Sequence, residues 1–195
     1  MRARDTEGND VGRTDSLWDD VLYFPEEPLG FQFSSRWIPE KPDHGQIYLN
    51  LSYEFTSAIR AGFDYRPLTD DVSPLITWRV FPSDPDGWRP ALIAGFSNDD
   101  FGDINSNAVF ASFTKSLGEI GGVYFSPYAG ASYIRDLDEI RPVGGLHLRR
   151  GSFSGIFQYS GVDEHVSLSY SRGNHTFTFL LFNLEKPGIA HTVKF

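Results

Sequence analysis

The chain has 195 residues, enough for one domain with a core of its own. Its 17 basic and 26 acidic side chains leave a net charge of -9, which argues against a nucleic-acid partner, and the absence of cysteine removes disulfide frameworks and zinc-thiolate sites. No apolar run approaches the length of a membrane-spanning helix, while an aromatic content of 15% and 19 glycines suit strands and tight turns.

Residues 1–27 differ from the rest. The opening MRARDTEGNDVGRTDS is polar and carries no secretory signal, so export would require a cleaved leader ahead of it. Asp15-Ser16 stands where a helix cap belongs, before Leu17, Trp18, Val21 and Leu22 on one helical face. The expectation is a partly disordered periplasmic or plugging segment. From residue 28 to residue 195 the pattern is alternation. In Ile47–Phe55 the apolar residues are Ile47, Leu49, Leu51, Tyr53 and Phe55, with Tyr48, Asn50, Ser52 and Glu54 between them. Such segments recur near 28–38, 45–56, 58–66, 73–81, 88–97, 107–116, 121–134, 139–149, 152–160, 164–171, 174–183 and 188–195, with turn chemistry between them. That predicts about twelve antiparallel strands, within a range of about 10–14. The connections EKPDH, PLTDDVS, SNDDFGDINS, RDLD, GVDE and LEKPG average longer and more acidic than TS, PSDPDG, LGEIGG, RGS and RGN, a modest asymmetry that predicts the longer loops on one side.

The content of the two faces decides what they meet. A soluble barrel should show Lys, Glu and Asp on its outer face. Here the polar faces carry Ser, Thr, Asn, Gln, Tyr, Gly and Arg, and acids gather in the connections. Trp37, Phe55, Tyr65, Trp78, Trp88, Phe96 and Tyr170 stand near the ends of apolar faces, as in interfacial girdles. The reading is all-β: an antiparallel up-and-down transmembrane β-barrel over 28–195, lipid on one face and a polar lumen on the other. On that reading Leu51→Arg hurts folding far more than Asn50→Arg.

The chain ends AHTVKF. Val193 and Phe195 on one face resemble the C-terminal assembly signal of bacterial outer-membrane β-barrel proteins, although His191 stands where that family more often has a hydrophobic residue. The resemblance implies a bacterial outer-membrane location, contact with outer-membrane lipid and lipopolysaccharide, and recognition by the barrel-assembly machinery. The stretch SPLITWRVFPSDPDGWRPALIAGFSNDDFG, followed by NAVFASFTKSL, resembles the repeated hairpin of YjbH-like outer-membrane proteins. That resemblance implies architecture, location and a link to exopolysaccharide, and carries no activity.

Three constellations bear on chemistry. His165 and Ser167 lie two apart on a strand, as in lipid-modifying outer-membrane enzymes, but Leu168 follows the serine where those families have Asn, and the pair faces the lumen. The acid groups Asp70-Asp71, Asp99-Asp100 with Asp103, and Asp136, Asp138 and Glu139 lack a calcium-loop register and read as solvated loops, so neither a metal nor a cofactor is expected. The third is a set of seven arginines on the polar faces: Arg36, Arg60, Arg66, Arg79, Arg89, Arg141 and Arg149, opposed there by Glu54 and Asp64. They predict a lumen that favours anionic solutes such as acidic glycans, or a filled interior in which they pair with acids and carbonyls. The expected function is a narrow porin-like transport channel or accessory envelope protein and not an enzyme. The alternatives are an anchored subunit that binds an envelope partner protein, and a lipid-modifying enzyme.

Overall fold

The structure, a computed structural model, describes residues 30–84, 87–101 and 104–195, with the side chains of 99–105 outside the description. The segment near residues 15–22, read as an irregular lead-in with a short amphipathic helix as the alternative, lies outside the described residues. The strands are β1 (Gly30–Trp37), β2 (Ile47–Thr56), β3 (Ile59–Arg66), β4 (Asp71–Phe81), β5 (Ala91–Phe101), β6 (Ile104–Thr114), β7 (Glu119–Ile120), β8 (Val123–Ile134), β9 (Glu139–Arg150), β10 (Phe153–Tyr159), β11 (Glu164–Arg172), β12 (His175–Phe182) and β13 (Lys186–Lys194). A one-turn helix, α1 (Asp43–Gln46), lies between β1 and β2. β7 is a two-residue stub on β8. The other twelve strands pair antiparallel in chain order, β6 pairs with β8 past the stub, and β1 pairs with β13. The sheet is therefore a closed up-and-down barrel of twelve strands.

Alternation along each strand sorts side chains between the two surfaces. In β2, Tyr48, Asn50, Ser52 and Glu54 are buried, while Phe55 is exposed. The same inversion holds around the barrel. Phe31, Phe63, Phe113, Leu168, Phe177 and Phe179 are exposed, and the buried set is dominated by Ser, Thr, Asn and Arg. An outer face of this kind gains nothing from burial in water. It is compatible with a barrel surrounded by hydrocarbon, whose strands alternate apolar-out and polar-in.

Inward glycines let the wall curve. A Cβ on Gly62 would stand 2.2 Å from the Leu51 carbonyl oxygen, and one on Gly130 would stand 2.0 Å from that of Ala111. Each faces a serine across its ladder, Ser52 and Ser112 respectively. Only glycine permits that approach, the usual device for bending a barrel strand.

The barrel has a terminal side, where the Phe195 N–H donates to the Phe31 carbonyl at 2.9 Å, and an opposite loop side. The expected difference in loop length does not hold. Loop-side connections are 38–46, 67–70, 102–103, 135–138, 160–163 and 183–185, but the terminal side has 82–90 and 115–122 among its turns. The acidic SNDDFGDINS stretch mostly extends β5 and β6 as a hairpin instead of forming a long loop.

Two loop-side turns share one device. Asp70 and Asp138 both adopt the left-handed conformation, at φ 53 and 51. Each carboxylate accepts a hydrogen bond from the tyrosine five residues earlier, Tyr65 at 3.2 Å and Tyr133 at 2.9 Å. The bond fixes a carboxylate in a conformation that Asp tolerates better than most residues. Tyr65→Phe and Tyr133→Phe should each lower the urea midpoint of the refolded barrel slightly, as the loss of one exposed hydrogen bond does. The double variant should be additive, since the turns are far apart in the sheet.

Candidate functional site

The candidate site is the barrel interior. Arg36, Arg60, Arg66 and Arg149 are buried in it. Arg79 and Arg141 are half-buried toward its two ends. The six form two tiers. Arg36, Arg66 and Arg141 lie at the loop-side ends of β1, β3 and β9, and Arg60, Arg79 and Arg149 lie at the terminal-side ends of β3, β4 and β9. Arg89 departs from the expectation. It is exposed in the 82–90 connection, its carbonyl accepting from the Asp84 N–H at 3.0 Å. Pro90 follows it and has no N–H to give a ladder, so β5 starts only at Ala91 and no track with Arg79 forms.

Arg66 organises the loop-side tier. It is fully buried, and its Nη1 donates to Asp71 at 3.3 Å and to Ser73 at 3.2 Å. Its Nη2 donates to the Asn98 backbone oxygen at 2.6 Å and to Asn98 Oδ1 at 3.1 Å. Asn98 in turn donates to Ser73 at 2.9 Å. These bonds fall where they are needed. The β4–β5 ladder runs from Phe81↔Leu92 only as far as Ile76↔Phe96, and beyond it Ser73 and Asn98 belong to strands no longer paired to each other. The Arg66 fork bridges that gap, a task that suits its rigid planar donors.

Arg36 and Arg66 share one ring, Tyr48, with guanidinium carbons 4.6 and 5.4 Å from its centroid. Beside them Asp64 is fully buried and accepts from Asn50 Nδ2 at 2.7 Å. Asn50 Oδ1 accepts from Ser52 at 3.3 Å. Toward the terminal side, Glu54 is buried opposite Arg60 in the β2–β3 ladder. Glu54 and Asp64 thus hold the interior positions that alternation assigned to them. The wall from β10 through β13 to β1 is lined by small hydroxyls bonded in pairs, with Ser34–Thr192, Ser169–Thr178 and Ser171–Thr176 each at 2.8 Å. Small residues on this wall leave room for the long side chains opposite.

Rings take up more of the lumen. Tyr128 lies over Gly145 and Phe110 over Gly95, so that a Cβ on either glycine would fall within 3 Å of the ring. One void, of about 40 Å³, lies beside Arg36, Gln158, Ser167 and Thr178, room for no more than a few waters. The mouths are also occupied. On the loop side, Ile38 and Lys41 of the 38–46 connection are buried, and Lys41 Nζ lies 3.6 Å from the centroid of Phe182. On the terminal side, Lys115 Nζ reaches Ser83 Oγ at 3.3 Å and the Asp84 carbonyl, tying connection 115–122 to connection 82–90.

His165 and Ser167 both line the small void. His165 is stacked on Phe182 at 4.2 Å, and its Nδ1 accepts from the Asn183 backbone N–H at 3.2 Å. In that neutral tautomer Nε2 carries the hydrogen, so it cannot take a proton from the Ser167 hydroxyl. Acids of two of the clusters are engaged locally, Asp71 with Arg66, Glu139 with Arg141 at 2.6 Å, and Asp70 and Asp138 with their tyrosines, while the side chains of Asp99, Asp100 and Asp103 lie outside the described residues. Among the described residues no three metal-ligating side chains stand together. Val193 pairs with Phe33 in the β1–β13 ladder, and Phe195 is exposed just beyond it.

Lys41 and Asn98 were not legible as parts of this interior, whereas Tyr48 was. Lys41 sits in EKPDH, which reads only as a turn, and Asn98 sits in what reads as a loop. For Tyr48 the signal was available, since it occupies an inward position in the β2 alternation. No known protein family and no curated protein matches the chain.

Proposed function

We propose that the protein is an outer-membrane β-barrel that serves as a filled anchor, an accessory envelope protein with a closed lumen. The observation that carries this reading is the packed interior. Four arginines, two acids and a set of hydroxyls are buried inside a wall whose outer face is aromatic and aliphatic. Outer-membrane lipid and lipopolysaccharide are its surroundings on this reading, and the barrel-assembly machinery inserts it. The stretch that resembles YjbH-like proteins folds as β4, β5 and the following β6. An exopolysaccharide-linked partner therefore belongs to the same proposal.

A second reading, an anion-favouring channel, is supported by the two tiers of arginine. It requires the 38–46 connection to leave the loop-side mouth. Planar-bilayer recording of the full chain separates the two, after gel mobility has shown that the barrel is heat-modifiable. The expected result is insertion without stepwise conductance. Stepwise conductance that is larger for chloride than for potassium, and that loses selectivity at high salt, would replace the anchor with the channel.

A further inference from the structure

His191 breaks the apolar pattern of the outer face, and the fold gives it a companion. In the β12–β13 ladder Phe177 is opposite His191, and His175 begins the same strand two residues earlier. His175 Nδ1 and His191 Nε2 are 3.1 Å apart, with the rings almost parallel at 7°. Phe177 stacks on His191 with centroids 4.8 Å apart. Across the β11–β12 ladder, Arg172 stands opposite His175 and is exposed. The bonded imidazole pair of β12 and β13 thus has Arg172 of β11 as the ladder neighbour of His175 on the outer face.

Of these three, His191 also lines a cleft of about 880 Å³ in the outer wall, together with Trp37, Leu168, Phe177, Phe179, Ile189 and others. The cleft exists because Ser35, opposite His191 in the β1–β13 ladder, places a hydroxymethyl among rings. Its lining is overwhelmingly apolar, and its volume is that of a pocket for a molecule of lipid size.

Hydrogen-bond accounting says what belongs at the polar end. A neutral imidazole has one N–H and one bare nitrogen. The bond between the rings uses one of each. Whichever ring donates, the pair keeps one N–H and one bare nitrogen outside the bond. Left against hydrocarbon, both would be costly. A phosphate oxygen accepts from the N–H, the Arg172 fork supplies further donors and the opposing charge, and a headgroup hydroxyl satisfies the bare nitrogen. Acyl chains fit the aromatic cleft. We propose that Arg172, His175 and His191 bind the phosphodiester headgroup of an anionic glycerophospholipid whose chain lies in the outer cleft. This rests on the membrane-barrel reading above.

Trp37 lines the cleft, so it reports on occupancy. The full chain carrying Trp18→Phe, Trp78→Phe and Trp88→Phe is refolded into phosphatidylcholine vesicles containing a minor fraction of phosphatidylglycerol with brominated chains. Trp37 quenching should exceed that from the same fraction of brominated phosphatidylcholine, by about fivefold in apparent occupancy for one arginine beside an anionic lipid. Arg172→Gln and His191→Leu should each remove most of the excess while the barrel stays folded. Equal quenching by the two lipids, or an excess that survives both substitutions, overturns the lipid site and leaves the barrel reading intact. Failure of the wild-type chain to insert into vesicles overturns both. If the tryptophan variant does not fold, native mass spectrometry of the wild-type protein in detergent with phosphatidylglycerol is decisive. Retention of one phospholipid that His191→Leu loses supports the site, and no retention refutes it.

Discussion

Arg66→Leu should destabilise the barrel by about 3 kcal/mol, the largest loss expected from any single interior substitution. The guanidinium is fully buried and donates to four acceptors: Asp71, Ser73, and both the backbone and side-chain oxygens of Asn98. Leucine fills part of the volume and leaves those acceptors facing one another across the gap between β4 and β5. The Asp71 contribution is the smallest, because its side chain is one-third exposed and can turn to water. Arg66→Lys keeps the charge and loses the fork, so it should recover less than half of the deficit. Urea titration in detergent measures both. Equal stability of Arg66→Leu and wild type would mean that the seam is held by something other than this network. Asn98→Ala removes one acceptor and the link to Ser73, and should show a smaller loss that is not additive with Arg66→Leu.

That network also marks where sequence reasoning reached and where it stopped. Strand positions were legible because alternation is a local signal: β2, β8 and β9 start or end within two residues of where the pattern placed them. Inward placement of Arg36, Arg60, Arg66 and Arg149 followed from the same parity. Arg89 was misplaced because parity was extended through Pro90, which ends the argument for a strand. Which side chains meet inside the lumen was not legible. Contacts across the barrel, such as two guanidiniums on the Tyr48 ring, depend on strand tilt, which no single strand encodes. The burial of Lys41 was hidden for a similar reason. A loop residue becomes an interior residue only when its loop folds over a mouth.

Leu51→Arg should cost about 2–4 kcal/mol, and this loss tests the surroundings of the whole outer face. Leu51 points outward between Phe33 of β1 and Phe63 of β3, its ladder partners. In hydrocarbon an arginine there must lose its hydration or drag water and headgroups inward. In water the same substitution lies on a solvated surface and should change stability by no more than about 0.5 kcal/mol. The size of the effect therefore reports the solvent. Asn50→Arg, which alternation alone makes the tolerant comparison, is unsuitable as a control. Asn50 is buried and bonded to Asp64 and Ser52, so an arginine there overpacks the lumen and breaks a network. Ser57 in the β2–β3 turn serves instead, because Ser57→Arg adds the same charge on the same hairpin beyond the strand ends. Both variants would be unfolded with urea from phosphatidylcholine vesicles. A loss of at least about 2 kcal/mol for Leu51→Arg with little change for Ser57→Arg places the middle of β2 against lipid. Near-neutral results for both would place it against water and remove the basis for an outer-membrane location.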